Sequence, residues 1–196
     1  MINRREHEDP SRTVSWSKKP RLDTQTDLAL GCSLIPLQKN MFCWGSSVHG
    51  ELGLGDTENK RILIPSEVDF QKATEVLHIA CGESHTVVIT RDGELYSCGN
   101  NDFGQLGHNE ERKRLHMVSG LEAFVFRKAA CGASHTVAVN EWGQLFSWGC
   151  NSEGQLGLNT INFAENTPRM VKTLGTNVIV QIACGVKHVL ALTNNG

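Results

Sequence analysis

From residue 41 onward, apolar side chains come in short β-branched or alternating runs, and glycine-rich turns separate them. Ile79 to Cys81 runs into Gly82, and His85-Thr86-Val87-Val88-Ile89-Thr90 follows as a strand. Arg91-Asp92-Gly93 then reverses the chain, because Asp-Gly tolerates the positive φ that a short hairpin needs. Leu95-Tyr96-Ser97-Cys98 is the returning strand; after a glycine-rich loop, a fourth extended piece corresponds to Ile62–Val68 or Pro168–Val171. No stretch in 41–196 keeps a helical period long enough to compete. Residues 1–40 differ: they are polar, broken by Pro10, Pro20 and Pro36, and hold no sustained period of 2 or 3.6.

The four-strand texture repeats. Trp44-Gly45-Ser46-Ser47-Val48-His49-Gly50-Glu51-Leu52-Gly53 returns as Cys98-Gly99-Asn100-Asn101-Asp102-Phe103-Gly104-Gln105-Leu106-Gly107, and again as Trp148-Gly149-Cys150-Asn151-Ser152-Glu153-Gly154-Gln155-Leu156-Gly157. A second marker keeps the same beat: Ala80-Cys81-Gly82-Glu83-Ser84-His85, Ala130-Cys131-Gly132-Ala133-Ser134-His135 and Ala183-Cys184-Gly185-Val186-Lys187-His188. The glycines that open the first string stand 54 and 50 residues apart, and the histidines of the second 50 and 53. Two independent markers with one period indicate a repeat architecture, and four short strands per unit describe a propeller blade. The fold expected is all-β: a partial β-propeller of about three four-stranded blades over 41–196, behind a mostly disordered tail at 1–40.

Charge and composition sharpen this division. The 196 residues carry 19 Lys and Arg against 21 Asp and Glu, a net charge of −2. Such balance argues against nucleic-acid binding through one basic field. No apolar run of about 18 residues marks a membrane span, and the charged N-terminus is no secretory signal. The first 40 residues are net +2 and hold one of the 19 glycines, whereas the rest is net −4 and holds the other 18. The tail has too little apolar surface to offset the entropy of ordering it, although Leu28 to Leu37 is apolar enough to dock. Its Lys18-Lys19-Pro20-Arg21 cluster reads as a solvated charge run ahead of an import signal.

The Cys-Gly-x-x-His segment, the Asp-Gly hairpin and the Gly-x-Asn-x-x-Gly-Gln-Leu-Gly loop, three times in register, resemble the repeats of the regulator of chromosome condensation family. Phe42-Cys43-Trp44-Gly45, just after Met41, resembles the opening of the N-terminal propeller of HERC-type ubiquitin ligases. The resemblance implies a seven-bladed ring. Asn194-Asn195-Gly196 stands where the earlier units turn into their next strand, so the chain is expected to be a fragment that stops inside a hairpin.

The motifs themselves read as architecture. A phosphate-cradling loop needs a helix N-terminus behind it, and here strands follow. Each Cys/His pair offers two ligands where zinc wants four, and Ser84-His85 are strand neighbours that face opposite ways. No catalytic, metal or cofactor site is expected. The histidines are expected to be buried, with ring nitrogens satisfying backbone groups at a tight turn. Cysteines exchange with Ser, Asn or Trp between units, which is no disulfide framework. Cys98 replaces Trp44 and Trp148, so the middle unit should pack less tightly there or recruit Phe103 or Phe124. Leu115 also replaces the proline seen at Pro65 and Pro168, making that unit the least regular.

Recognition is left to the loops that differ between units. The candidate partner-binding residues are Asp56, Glu58, Lys60 and Arg61 after the first loop, Glu110, Glu111, Arg112, Lys113 and Arg114 after the second, and Asn159, Asn162 and Phe163 after the third. The family resemblance implies a non-enzymatic protein-binding module that recruits a substrate or regulator for a HERC-type ligase. The alternatives are guanine-nucleotide exchange on the small GTPase Ran and a chromatin scaffold. The cytoplasm is the expected location, with the nucleus second. Three blades cannot close a ring, so self-association through the open edges is expected as well.

Overall fold

The computed structural model describes residues 40–58, 60–160 and 162–195. The tail expected at 1–40, with its basic cluster and apolar second half, lies outside the described residues except for Asn40. Twelve strands follow in chain order: β1 (Phe42–Ser46), β2 (Arg61–Glu67), β3 (Val76–Cys81), β4 (His85–Thr90), β5 (Leu95–Gly99), β6 (His116–Met117), β7 (Phe126–Cys131), β8 (His135–Asn140), β9 (Leu145–Cys150), β10 (Ala164–Met170), β11 (Ile179–Cys184) and β12 (Val189–Thr193). Among the described residues no helix is long and apolar enough to cross a membrane.

Two complete four-stranded antiparallel blades form, β3-β4-β5-β6 and β7-β8-β9-β10. Before them stands the two-stranded sheet β1-β2, and after them the two-stranded sheet β11-β12. By register, β1 and β2 correspond to the third and fourth strands of a blade, and β11 and β12 to the first and second. The glycine-rich string that opens each unit in the sequence therefore opens on a third strand, half a blade out of phase with the sheets.

The Asp-Gly and Trp-Gly turns are tight hairpins in which Gly93 takes φ +86° and Gly143 φ +78°. Val87 and Ile89 alternate inward along β4, and Val137 and Val139 do so along β8. One core lies between the two complete blades, joining Val87, Ile89 and Leu95 of the earlier blade to Phe126, Phe146 and Trp148 of the later. A second core joins Val137, Val139, Leu145 and Val171 to Ile179 of the final half-blade. At about 25 cal/mol per Å² of apolar area, such cores supply most of the stabilisation of a repeat fold.

The middle unit departs from the other two as expected, by looser packing at Cys98 and not by recruiting a phenylalanine. Its outer strand β6 has two residues where β2 and β10 have seven. Cys98 lines a cavity of about 210 Å³ with Leu52, Val68 and Leu115. Neither Phe103 nor Phe124 fills it: Phe103 packs on Phe163, and Phe124 packs on Phe126 and Phe146 at the next interface. The third-strand residue looks toward the preceding blade, and both phenylalanines lie on the other side.

Candidate functional site

Connections between third and fourth strands carry the candidate residues, and the repeated motif fastens their bases. In the second loop, Asn101 Oδ1 accepts from Leu106 N at 3.0 Å while Asn101 Nδ2 donates to His108 O at 2.9 Å. Gln105 Oε1 accepts from Phe103 N at 3.0 Å. Asn151 and Gln155 make the matching bonds in the third loop, to Leu156 N at 3.1 Å and Glu153 N at 2.9 Å. Ser97 and Ser147 hold the loops from below, each donating to a leucine carbonyl at 2.8 Å. The polar side chains thus replace sheet partners for a backbone that makes a wide turn.

The first and second loops are also tied to the next blade. Thr86 Oγ1 donates to Glu51 O at 2.7 Å, and Thr136 Oγ1 donates to Gln105 O at 2.8 Å. Trp148 Nε1 donates to the same Gln105 carbonyl at 2.9 Å. The loop bases are rigid parts of the ring, whereas the tips are exposed.

At those tips the candidates of the first and second loops come together. Lys113 pairs with Asp56 and holds its carboxyl below the usual carboxylate range. The Lys113 carbonyl accepts from Gly55 N at 2.8 Å. Arg114 lies 3.9 Å from Asp69, and Arg112 lies 3.6 Å from Asp102. Glu111 accepts from Lys113 N at 2.6 Å and faces His116 at 3.8 Å, while Glu110 N donates to His108 Nδ1 at 3.1 Å. Glu58, Lys60 and Arg61 are exposed; Lys60 contributes its carbonyl to Ser47 N at 3.0 Å, and Arg61 opens β2 opposite Ser46. The third loop meets the second through Phe163, 62% exposed, whose ring centroid is 5.7 Å from that of Phe103. Asn162 donates to Glu165 at 2.8 Å, and exposed Asn159 takes φ +54°. Three neighbouring loops thus form one continuous mixed-charge surface with an aromatic end.

Sequence comparison between units missed the residues that complete this surface: Asp69, Asp102, Phe103 and Glu165. It also missed Trp142, exposed at the β8–β9 hairpin on the opposite rim, packed edge-on against Phe124 at 6.3 Å and beside the Arg127–Glu141 pair. The signal was present, since Trp142 occupies the position of Asp92.

The Cys-Gly-x-x-His segments are structural, but not as expected. Gly82 N donates to the backbone carbonyl of His85 at 2.8 Å, and Gly132 and Gly185 repeat this with His135 and His188. The ring lies flat over the glycine: a Cβ on Gly132 would sit 2.0 Å from His135 Cε1. His85 Nε2 meets Thr136 Oγ1 at 2.9 Å. That hydroxyl spends its proton on Gln105, so His85 must donate from Nε2, leaving Nδ1 without a partner among the described residues. The His85 ring therefore bridges two blades instead of capping a backbone group, and neither ring nitrogen of His135 has a partner among the described residues. Burial and neighbouring His135 push His85 down to about 4. His188, on the final half-blade, is exposed, so burial holds for two of the three.

Cys81, Cys131 and Cys184 line a groove of about 540 Å³ beside these glycines. Burial pushes the thiols of Cys131 and Cys184 up, Cys184 to about 12, which makes them poor nucleophiles. Among the described residues, no group of three or more His, Cys, Asp or Glu could hold a metal ion.

Residues 40–196 match the family described as RCC1-like domain. The chain belongs to the RCC1-like domain family. Over 153 residues it is 52% identical to the Probable E3 ubiquitin-protein ligase HERC4 of Rattus norvegicus, covering 78% of this chain and 14% of that protein. The Probable E3 ubiquitin-protein ligase HERC3 of Homo sapiens is 44% identical over 156 residues, 80% of this chain and 15% of that protein. The RCC1-like chain thus spans about one-seventh of the length of these curated relatives. Among solved structures, human WBSCR16 superposes with a TM-score of 0.72 at 28% identity, covering 81% of this chain and 42% of that one. Prp20p from Saccharomyces cerevisiae, whose crystal structure was described with its binding properties to Gsp1p and histones, gives 0.71 at 23% identity, covering 80% and 41%. These likenesses establish an RCC1-like propeller that belongs with protein-binding modules.

Proposed function

We propose that this chain is a non-enzymatic recruiting module that presents a substrate or regulator to a HERC-type ubiquitin ligase, acting in the cytoplasm. The observation that carries the reading is the surface built by the three loops. The bases of the second and third are locked by Asn101, Gln105, Asn151 and Gln155 and that of the first by Glu51, which accepts from His49 N at 2.7 Å, while the tips carry residues that differ from unit to unit. A rigid base with idiosyncratic exposed groups is what selective protein recognition requires. The 52% identity to HERC4 supports placing that recognition in ubiquitin transfer.

Arg112, Lys113 and Arg114 form the basic centre of this surface, flanked by Asp56, Asp69, Asp102 and Glu111. A partner presenting interspersed acidic and basic groups, bordered by an apolar side chain for Phe163, fits it. The test is quantitative cross-linking capture by the chain, compared with the variant Arg112→Glu/Lys113→Glu/Arg114→Glu. The reading predicts that the variant loses captured, ubiquitinated proteins at least about tenfold while its melting temperature stays put. Unchanged capture by the variant, or rapid guanine-nucleotide release from Ran by the chain, overturns it.

A further inference from the structure

The rim opposite the three loops holds a cavity of about 360 Å³ between the β4–β5 hairpin and the connection from β6 to β7. Both walls come from strands of the two complete blades and from the segment that joins them. Its interior is apolar: Leu95, Val118, Leu121 and Phe126 belong to the core behind it, and half-buried Phe124 and exposed Met117 line it as well. The charged residues along it, Asp92, Glu94 and Glu122, are all acidic.

Those carboxylates are not equally engaged. Glu94 pairs with Lys72 and accepts from Tyr96 Oη at 2.9 Å. Asp92 and Glu122 are exposed, and among the described residues neither is in an ion pair. Gly120 N donates to Glu122 Oε1 at 3.0 Å, and backbone bonds of this kind hold that carboxyl below the usual carboxylate range. Of the nearby cations, Arg127 pairs with Glu141 and donates to the Arg91 carbonyl at 3.1 Å, and exposed Arg91 does not line the cavity. Phe124 also joins the cavity to Trp142, whose ring is 55% exposed and stands edge-on to the phenylalanine. An indole in solvent near two unpaired carboxylates attracts a guanidinium through charge and ring quadrupole together.

These groups are peculiar to this place. Where Asp92, Glu94, Glu122 and Phe124 stand, the next unit has Trp142, Gln144, Gly175 and Asn177, and the preceding unit has Lys72 and Thr74 at the last two. The repeated scaffold therefore requires none of them, which leaves them free for recognition. We propose that this cavity is a second protein-docking site. It receives an apolar side chain from an extended segment of a partner, while an adjacent arginine of that segment lies at the mouth against Asp92, Glu122 and Trp142. The apolar walls supply the anchor, and charge complementarity selects its neighbour. The site does not depend on what the three loops recruit.

Fluorescence anisotropy on the full 196-residue chain tests it with labelled peptides whose Gly-Ser frame carries Arg-Leu-Arg, Arg-Ser-Arg or Glu-Leu-Glu. The first should bind, and the other two should bind at least about tenfold more weakly. Asp92→Asn/Glu122→Gln should weaken binding of the first about tenfold, and Trp142→Ala about threefold. Met117→Arg, which supplies a cation from the cavity wall itself, should match the double substitution. All of these variants should melt with the wild-type chain, because each change falls on an exposed side chain. A photoreactive leucine in the Arg-Leu-Arg peptide should label residues 92–95 or 117–126. No binding at about 1 mM overturns the proposal. So does equal binding of the serine peptide, binding that survives the double substitution, or labelling confined to other residues.

Discussion

Trp44 and Trp148 occupy the same place in the same motif, yet Trp44 is 61% exposed and Trp148 is wholly buried. The chemistry of the residue and the strand geometry around it are alike. What differs is the company: Trp148 has a blade before it and two strands beside it, and Trp44 has neither among the described residues. The histidines repeat the contrast, with His85 and His135 buried between blades and His188 exposed at the end. A repeat motif therefore encodes one half of a joint, and its burial and energetics are set by the neighbouring unit.

The largest effect that can sharpen this contrast is truncation of the two indoles. Trp148→Ala should cost about 3–5 kcal/mol, because it empties a packed core and leaves the Gln105 carbonyl short of a donor. Trp44→Ala, at a concentration where the chain is monomeric, should change stability by less than about 0.5 kcal/mol. Urea unfolding of both variants checks the pair, and equal losses would break the comparison.

Acid should act next, through the interior histidine. The folded state holds His85 at about 4 against an ordinary 6.5, so the unfolded chain binds the proton more readily. The stabilisation is whole above pH ~6.5, declines as pH falls and is exhausted below pH ~4, a loss of about 3 kcal/mol. Chemical unfolding along that pH series should show a rising limb toward neutrality, and a flat profile would contradict the buried neutral ring.

The glycines under the histidines offer a smaller contrast. An added Cβ meets His135 Cε1 at 2.0 Å on Gly132 and His188 Cε1 at 2.1 Å on Gly185. His135 is locked in the interior, so Gly132→Ala should cost about 1–3 kcal/mol. His188 can swing into solvent, so Gly185→Ala should cost clearly less, and calorimetry distinguishes the two. Smallest of all is the Asp56–Lys113 pair between loop tips: Asp56→Asn should leave the melting temperature within measurement error, because exposed pairs contribute little.

Much of this was legible in the chain. Val87-Val88-Ile89 followed by Asp92-Gly93 specifies a strand and its hairpin locally, and the recurrence of Gly50-Glu51-Leu52-Gly53 as Gly-Gln-Leu-Gly at 104–107 and 154–157 fixes the number of units. Loop residues that differ between units, Lys113 and Asp56 among them, were found by subtraction from the repeat. What sequence did not reveal depends on residues about one unit away. His85 meets Thr136 across 51 positions, and Trp148 meets Gln105 across 43. The partner of His85 was therefore misassigned to nearby backbone, and of the two outcomes expected at Cys98 the looser packing is found, while the phenylalanines pack on the opposite side. The phase of the blades was hidden for a similar reason, since only sheet pairing shows that the string beginning at Trp44 starts midway through a blade.

The threonine-to-carbonyl fasteners, Thr86 to Glu51 and Thr136 to Gln105, use a main-chain acceptor that any residue could offer. Joints of this sort are indifferent to which module stands upstream. Duplication or loss of a whole module then changes the circumference without demanding a new connector, and selectivity can drift at the periphery while the mortar stays the same.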